Sequence, residues 1–158
     1  MAARQAREQG RELDESVRTV MLSFTRAVGR IKRQGVPPAL LDFELAPRHF
    51  TLLSLLLLDG PTTVNELAAQ LEVAPTTVSL MVSDLGAKGI VDRVADPEDR
   101  RRRIVSIAAD HEAALAEWLA PGTSAWRRAL APLTASERTA VVRAITDYEA
   151  ALGEPGDR

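Results

Sequence analysis

The sequence predicts a mainly α-helical (α+β) fold in which one short β-hairpin interrupts a series of helices. Three observations carry that prediction. Apolar residues recur at spacings of three and four over most of the chain, the period of an amphipathic helix. Two Ser/Thr-x-x-Glu patterns, Thr63-Val64-Asn65-Glu66 and Thr134-Ala135-Ser136-Glu137, have the form of a capping box and mark helix starts. Between Gly89 and Ile107 the periodicity gives way to two β-prone runs around a charged, turn-rich loop.

Residues 1 to 11 are polar and unpatterned, and a disordered arm is expected there. From Leu13 onward Val17, Val20, Met21, Phe24, Ala27, Val28 and Ile31 line one face of a helix over about residues 12 to 33, which Gly35, Pro37 and Pro38 end. Pro47 suits a first helical position, and Phe50, Leu52, Leu53, Leu55, Leu56 and Leu57 read as a helix buried on most sides. The Thr63 capping box then opens a short helix with Leu67, Ala68 and Leu71 inward, ending near Glu72. Pro75 opens the next, which runs to about Lys88 with Val78, Met81, Val82 and Leu85 on its inner face. Thr76, Thr77, Ser79, Leu80 and Ser83 fall on or near the outer face.

The two β-prone runs, Ile90 to Val94 and Arg103 to Ile107, form an expected two-stranded hairpin around Asp96-Pro97-Glu98-Asp99. Helical periodicity resumes at Ala113. Pro121-Gly122 is expected to kink or break that helix, and the Thr134 capping box opens a last one through Val141, Val142, Ile145, Tyr148 and Leu152.

Composition narrows the function classes. A chain of 158 residues is expected to form one domain with a substantial core. It has no cysteine, which excludes disulfides, thiolate metal sites and thiol nucleophiles. The apolar run Leu55 to Leu58 is far shorter than the roughly 18 residues of a membrane span, and the polar start lacks a signal-peptide stretch, so a cytoplasmic protein without membrane contact is expected. The 20 basic and 22 acidic residues are unevenly placed. Residues 35 to 92 carry 2 basic and 7 acidic groups, whereas residues 93 to 103 carry 5 and 3, including the run Arg100, Arg101, Arg102, Arg103.

Helix, helix, helix-turn-helix, hairpin, long helices is the order of a winged helix-turn-helix set between flanking helices. A major groove roughly 12 Å wide admits one α-helix, and a basic hairpin beside it reaches the next phosphates or minor groove. The division expected is 46 to 107 for the winged domain with its two-stranded wing, and 12 to 45 with 108 to 153 for a helical dimerisation region. Val17, Met21, Phe24 and Val28, with Val142, Ile145 and Tyr148, are the expected subunit contacts, because they exceed what a small winged domain covers.

The stretch from Leu45 to Ala108 resembles the MarR family of winged-helix transcriptional regulators, and the flanking helices extend the resemblance to nearly the whole chain. Its most specific part is Asp96-Pro97-Glu98-Asp99-Arg100-Arg101, similar to the family's wing signature. Asn65-Glu66-Leu67-Ala68 and Leu85-x-x-Lys88-Gly89 follow in weight. The resemblance implies a homodimer, a double-stranded DNA operator of pseudo-palindromic symmetry as its partner, and repression relieved by a small-molecule effector. On residue matches it implies that Thr76, Thr77, Ser79 and Ser83 face the major groove, that Arg100, Arg101, Arg102 and Arg103 form the basic wing with Arg101 at the minor groove, and that Asp99 orients Arg101. A carboxylate two residues before an arginine can hold its guanidinium by charge-assisted hydrogen bonds.

Three positions depart from the family pattern. Leu80 stands where many relatives have a basic residue, Ala74 where a serine would cap the recognition helix, and Ile107-Ala108-Ala109-Asp110-His111 where Leu-Thr-x-x-Gly is usual. The acidic balance of residues 35 to 92 and the lack of bases on the recognition helix before Lys88 support a second reading, a degenerate winged-helix dimer that binds protein rather than DNA. An enzyme is not expected: His49 and His111 are far apart, and no HExxH, Gly-x-Ser-x-Gly, phosphate loop or dinucleotide fingerprint occurs. No cofactor or metal is implied. His49 reads as a polar helix-start residue, and Trp118 and Trp126 as packing residues.

Overall fold

The computed structural model describes residues 1–96, 99 and 102–153, with the side chains of residues 2–4 and 6 set aside. Two compact units are present, Met1–Pro47 and Arg48–Arg158. In the first, α1 (Ala2–Gln34) is one long helix and α2 (Pro38–Leu41) a single turn. The helix begins ten residues before the expected start and includes the segment expected to be a disordered arm. Residues 2 to 11 are mostly Ala, Arg, Gln and Glu, all good helix formers, so propensity continues the helix without an apolar face. Lys32 and Arg33 in its last turn complement the helix dipole, and Gly35 at φ 71° ends it.

The second unit holds α3 (Pro47–Asp59), β1 (Thr62–Thr63), α4 (Val64–Gln70), α5 (Pro75–Ala87), β2 (Val91–Ala95), β3 (Arg103–Ile107), α6 (Ala109–Leu130) and α7 (Ala135–Gly153). Its core is built from Leu52, Leu53 and Leu56 of α3, Leu67 and Ala68 of α4, Val78, Met81, Val82 and Leu85 of α5, Val91 and Val105 of the sheet, and Leu115 of α6, all buried. Burial of a leucine or valine side chain contributes about 1.5–3 kcal/mol, so this cluster fixes where each helix lies.

The expected hairpin is present, joined by a third strand that the sequence pattern does not predict. The antiparallel order is β1-β3-β2, with Thr62 opposite Val105 and Arg93 opposite the same residue on the other side. Two threonines are too few to show alternation, so β1 is set by its partner rather than by a pattern of its own. Of the kink or break expected at Pro121, the break is absent: α6 runs unbroken from Ala109 to Leu130. Pro121 and Glu117, whose carbonyl the missing amide leaves without its helical partner, are both exposed, so that carbonyl is open to solvent.

The helix ends follow from local chemistry. Thr63 accepts from the Glu66 amide at 3.3 Å while the Glu66 carboxylate accepts from the Thr63 amide at 2.9 Å, completing the capping box, and Thr134 with Glu137 repeats it. At the end of α5 the Ile90 amide donates to the Leu85 carbonyl and the Gly89 amide to the Gly86 carbonyl, a Schellman motif with Gly89 at φ 70°. The end of α4 has the same two bonds, from Val73 to Ala68 and from Glu72 to Ala69, but Glu72 takes the left-handed position at φ 53°. That conformation costs a residue with a Cβ about 1–2 kcal/mol. Glu72→Gly is therefore expected to raise stability by about 0.5–1 kcal/mol after the larger entropy of glycine in the unfolded chain is subtracted. A urea titration checks this, and a lowered midpoint contradicts it.

Candidate nucleic-acid interface

With Val78, Met81, Val82 and Leu85 buried on one side of α5, helical geometry turns Thr76, Thr77, Leu80 and Ser83 outward, and all four are exposed. Ser79 is half-buried at the edge of this face. Ala74 provides no side-chain cap, and Pro75 occupies the first helical position, where its missing amide goes unneeded. Lys88, the first base after the outward face, lies 3.2 Å from Asp84.

Beside α5 stands the wing. Its base is closed by two backbone bonds, from the Asp96 amide to the Arg102 carbonyl and from the Arg102 amide to the Asp99 carbonyl. Arg100 and Arg101, expected at the wing tip, lie outside the described residues. Arg102 and Arg103 are exposed, and Arg102 Nη2 is 3.7 Å from Glu66 Oε1. The Glu66 carboxyl is held down to about 2, chiefly by the Thr63 amide and hydroxyl, with the Thr62 hydroxyl and Arg102 adding. The residue that caps α4 thus also meets the wing.

A cleft of about 320 Å³ joins these parts, lined by Thr63, Val64, Asn65, Pro75, Ser79, Arg93, Arg102 and Arg103. It brings three of the expected residues together, Ser79, Arg102 and Arg103. Asn65 and Arg93 are additions to the residues expected at the interface. Strand alternation is the signal that could have found Arg93, which shares the sheet face of buried Val91 and pairs with buried Val105.

His49, expected to be a polar helix-start residue, is buried to 2% exposure. Its Nε2 lies 3.4 Å from Asp84 Oδ2, so α3 meets α5 through this pair. Trp118 packs against Phe50 with ring centroids 4.7 Å apart and planes tilted by 40°, while Trp126 is exposed. On α1, Val17, Met21, Phe24 and Val28 are 42–52% exposed. On α7, Val142 and Tyr148 are exposed and Ile145 is half-buried. Among the described residues no group of three or more His, Cys, Asp or Glu could hold a metal, and no helix is long and apolar enough to cross a membrane.

Residues 45–102 match the MarR family model. Among solved structures, a probable transcriptional regulator from Pseudomonas aeruginosa is 26% identical, with TM-score 0.52 over 86% of this chain and 98% of that one. The PcaV transcriptional regulator from Streptomyces coelicolor, in complex with its natural ligand, is 20% identical with TM-score 0.52, covering 84% and 91%. A MepR mutant from S. aureus bound to an oligodeoxyribonucleotide is 18% identical with TM-score 0.52, covering 84% and 97%. The last two likenesses show the fold. No curated protein matches the chain.

The buried histidine sets a pH dependence. Burial, reinforced by Arg48 and Lys88, lowers its pKa below 6.5 despite the opposing pull of Asp84. The unfolded chain then takes up a proton before the folded one does, so stability is full above pH 6.5 and falls as pH drops toward the lowered value. The Glu66 contribution is lost only from about pH 4.5 down to about 2, a separate window. Urea midpoints of the wild type are expected to fall between pH 7 and 5.5, and His49→Gln to flatten that fall. Equal slopes in the two proteins contradict the assignment.

Proposed function

Because residues 45–102 carry a MarR-family domain, we propose that this protein is a homodimeric, sequence-specific DNA-binding transcriptional regulator acting in the cytoplasm. The observation that carries the proposal is the cleft that Ser79 of α5 lines together with Arg93, Arg102 and Arg103 of the wing. It joins a helix with a short-side-chain outer face, able to enter a major groove, to a cationic surface able to meet phosphates. In this reading Thr76, Thr77, Ser79 and Ser83 contact base edges. Arg100 to Arg103 take the neighbouring backbone, with Arg101 in the minor groove and Asp99 orienting it. Repression and its relief by a small molecule rest on the family resemblance, and on PcaV as a structural relative that carries a natural ligand. No enzymatic activity belongs to the proposal.

The dimer part is supported by the exposed large apolar side chains of α1 and α7, which a subunit interface would remove from water. Light scattering at micromolar concentration is expected to give twice the monomer mass of 17.1 kDa. Val28→Asp, which would bury an unpaired charge, should shift the protein toward monomer. A monomeric mass for the wild type contradicts the dimer.

Selection from a random duplex pool should recover an inverted repeat with half-sites about 10 to 10.5 base pairs apart, as two-fold symmetry requires. On that duplex, Arg101→Ala is expected to weaken binding and reduce the salt slope by about one unit for each phosphate the variant no longer meets. Asp99→Asn should weaken binding too, although it removes a negative charge beside DNA, because the guanidinium is left without its orienting partner. Tighter binding by Asp99→Asn at fixed salt would overturn that role.

A further inference from the structure

Leu80 is the most exposed large side chain of the recognition helix, at 73%, and sits at the centre of its outward face. Thr76 and Thr77 lie one turn before it and Ser83 and Asp84 one turn after, with the Asp84 carboxylate drawn to Lys88 and His49, so polar groups flank this apolar side chain along the helix. A protein partner is a poor occupant for this face. A stable protein interface covers about 800 Å² on each side around an apolar centre, whereas one leucine flanked by threonines, a serine and a carboxylate offers only a small apolar spot. Arg93, Arg102 and Arg103, which line a cleft together with Ser79, the residue before Leu80, instead match a polyanion.

Resting on the DNA-binding reading above, we propose that Leu80 is a specificity-determining residue that packs on the C5-methyl group of a thymine in the major groove. That methyl is the one apolar feature the four ordinary base pairs present there. Leucine neither donates nor accepts a hydrogen bond. Over an adenine or cytosine amino group, or over the guanine oxygen, it excludes water without replacing the hydrogen bond that water made, so those bases are disfavoured. Thymine alone offers an apolar surface for it to cover. The methyl groups of Thr76 and Thr77 extend the same apolar surface, while their hydroxyls remain able to bond neighbouring acceptors. An arginine or lysine at this position would instead select guanine, so the side chain here decides which base is read.

Deoxyuridine isolates the methyl group, because it keeps every hydrogen-bonding group of thymine. The duplex recovered by selection is rebuilt with deoxyuridine at one thymine at a time, and binding is measured for the wild type and Leu80→Ala. At one symmetric position per half-site the wild type is expected to bind about fourfold more weakly for each methyl removed, the value of one buried methyl group. Leu80→Ala should bind the thymine duplex more weakly and show no further weakening with deoxyuridine. Its melting curve should match the wild type, since the side chain is exposed. Leu80→Arg should move the selected base at that position to guanine.

Equal weakening by deoxyuridine in wild type and Leu80→Ala, or none at any position in the wild type, overturns the thymine contact while leaving DNA binding intact. An unchanged base preference in Leu80→Arg overturns it as well. Failure to bind any duplex at low salt overturns the DNA-binding reading, and the thymine contact with it.

Discussion

Four buried side chains on one helix constrain everything else at the candidate interface. Val78, Met81, Val82 and Leu85 recur at spacings of three, one and three, and all are buried against the core of the second unit. Because successive side chains advance about 100° around a helix, fixing this face inward leaves no freedom in what points outward. Rotating α5 to present other residues would expose four core side chains, at a cost of about 1.5–3 kcal/mol each. The outward set of Thr76, Thr77, Leu80 and Ser83 is therefore as firmly determined as the core.

The wing is anchored to the same frame. Glu66 belongs to the capping box of α4, accepts from Thr62 and Thr63, and lies beside Arg102 at the root of the wing. Its carboxyl stays ionised to about pH 2 because the bonds that cap the helix all favour the charged form. One acidic group in a largely acidic segment thus serves two elements. It closes the start of a helix and faces a cation of the strand pair. His49 links α3 to α5 in a comparable way through Asp84, with Lys88 holding the other side of that carboxylate. Acidic residues near the interface are in this manner engaged within the domain.

The core and the outward face of α5 are legible in the sequence, because a 3.6-residue period over thirteen residues is unambiguous. Both capping boxes are legible for a related reason, since their chemistry is local. Features that depend on partners distant in sequence are not. Thr62 and Thr63 become a strand only because Val105 and Ile104 lie alongside. The burial of His49 depends on a helix 35 positions away. Arg93 counts among the basic residues of the 93 to 103 segment, yet its place in the cleft requires the sheet register. Pro121 does not break its helix, since an exposed proline leaves its orphaned carbonyl to water. The unpatterned start resembles an arm when amphipathicity is the criterion, whereas propensity alone makes it helical.

The central claim is that the outward face of α5 and the arginine-bearing wing together form a surface for duplex DNA. Its most direct test needs no operator: fluorescence anisotropy with a labelled duplex of random sequence, titrated at a series of salt concentrations. If at least two arginines per subunit of a dimer meet phosphates, log affinity should fall against log salt with a slope of about −3.6 or steeper. Absence of a complex even at the lowest salt, or an affinity that does not change with salt, would contradict the claim.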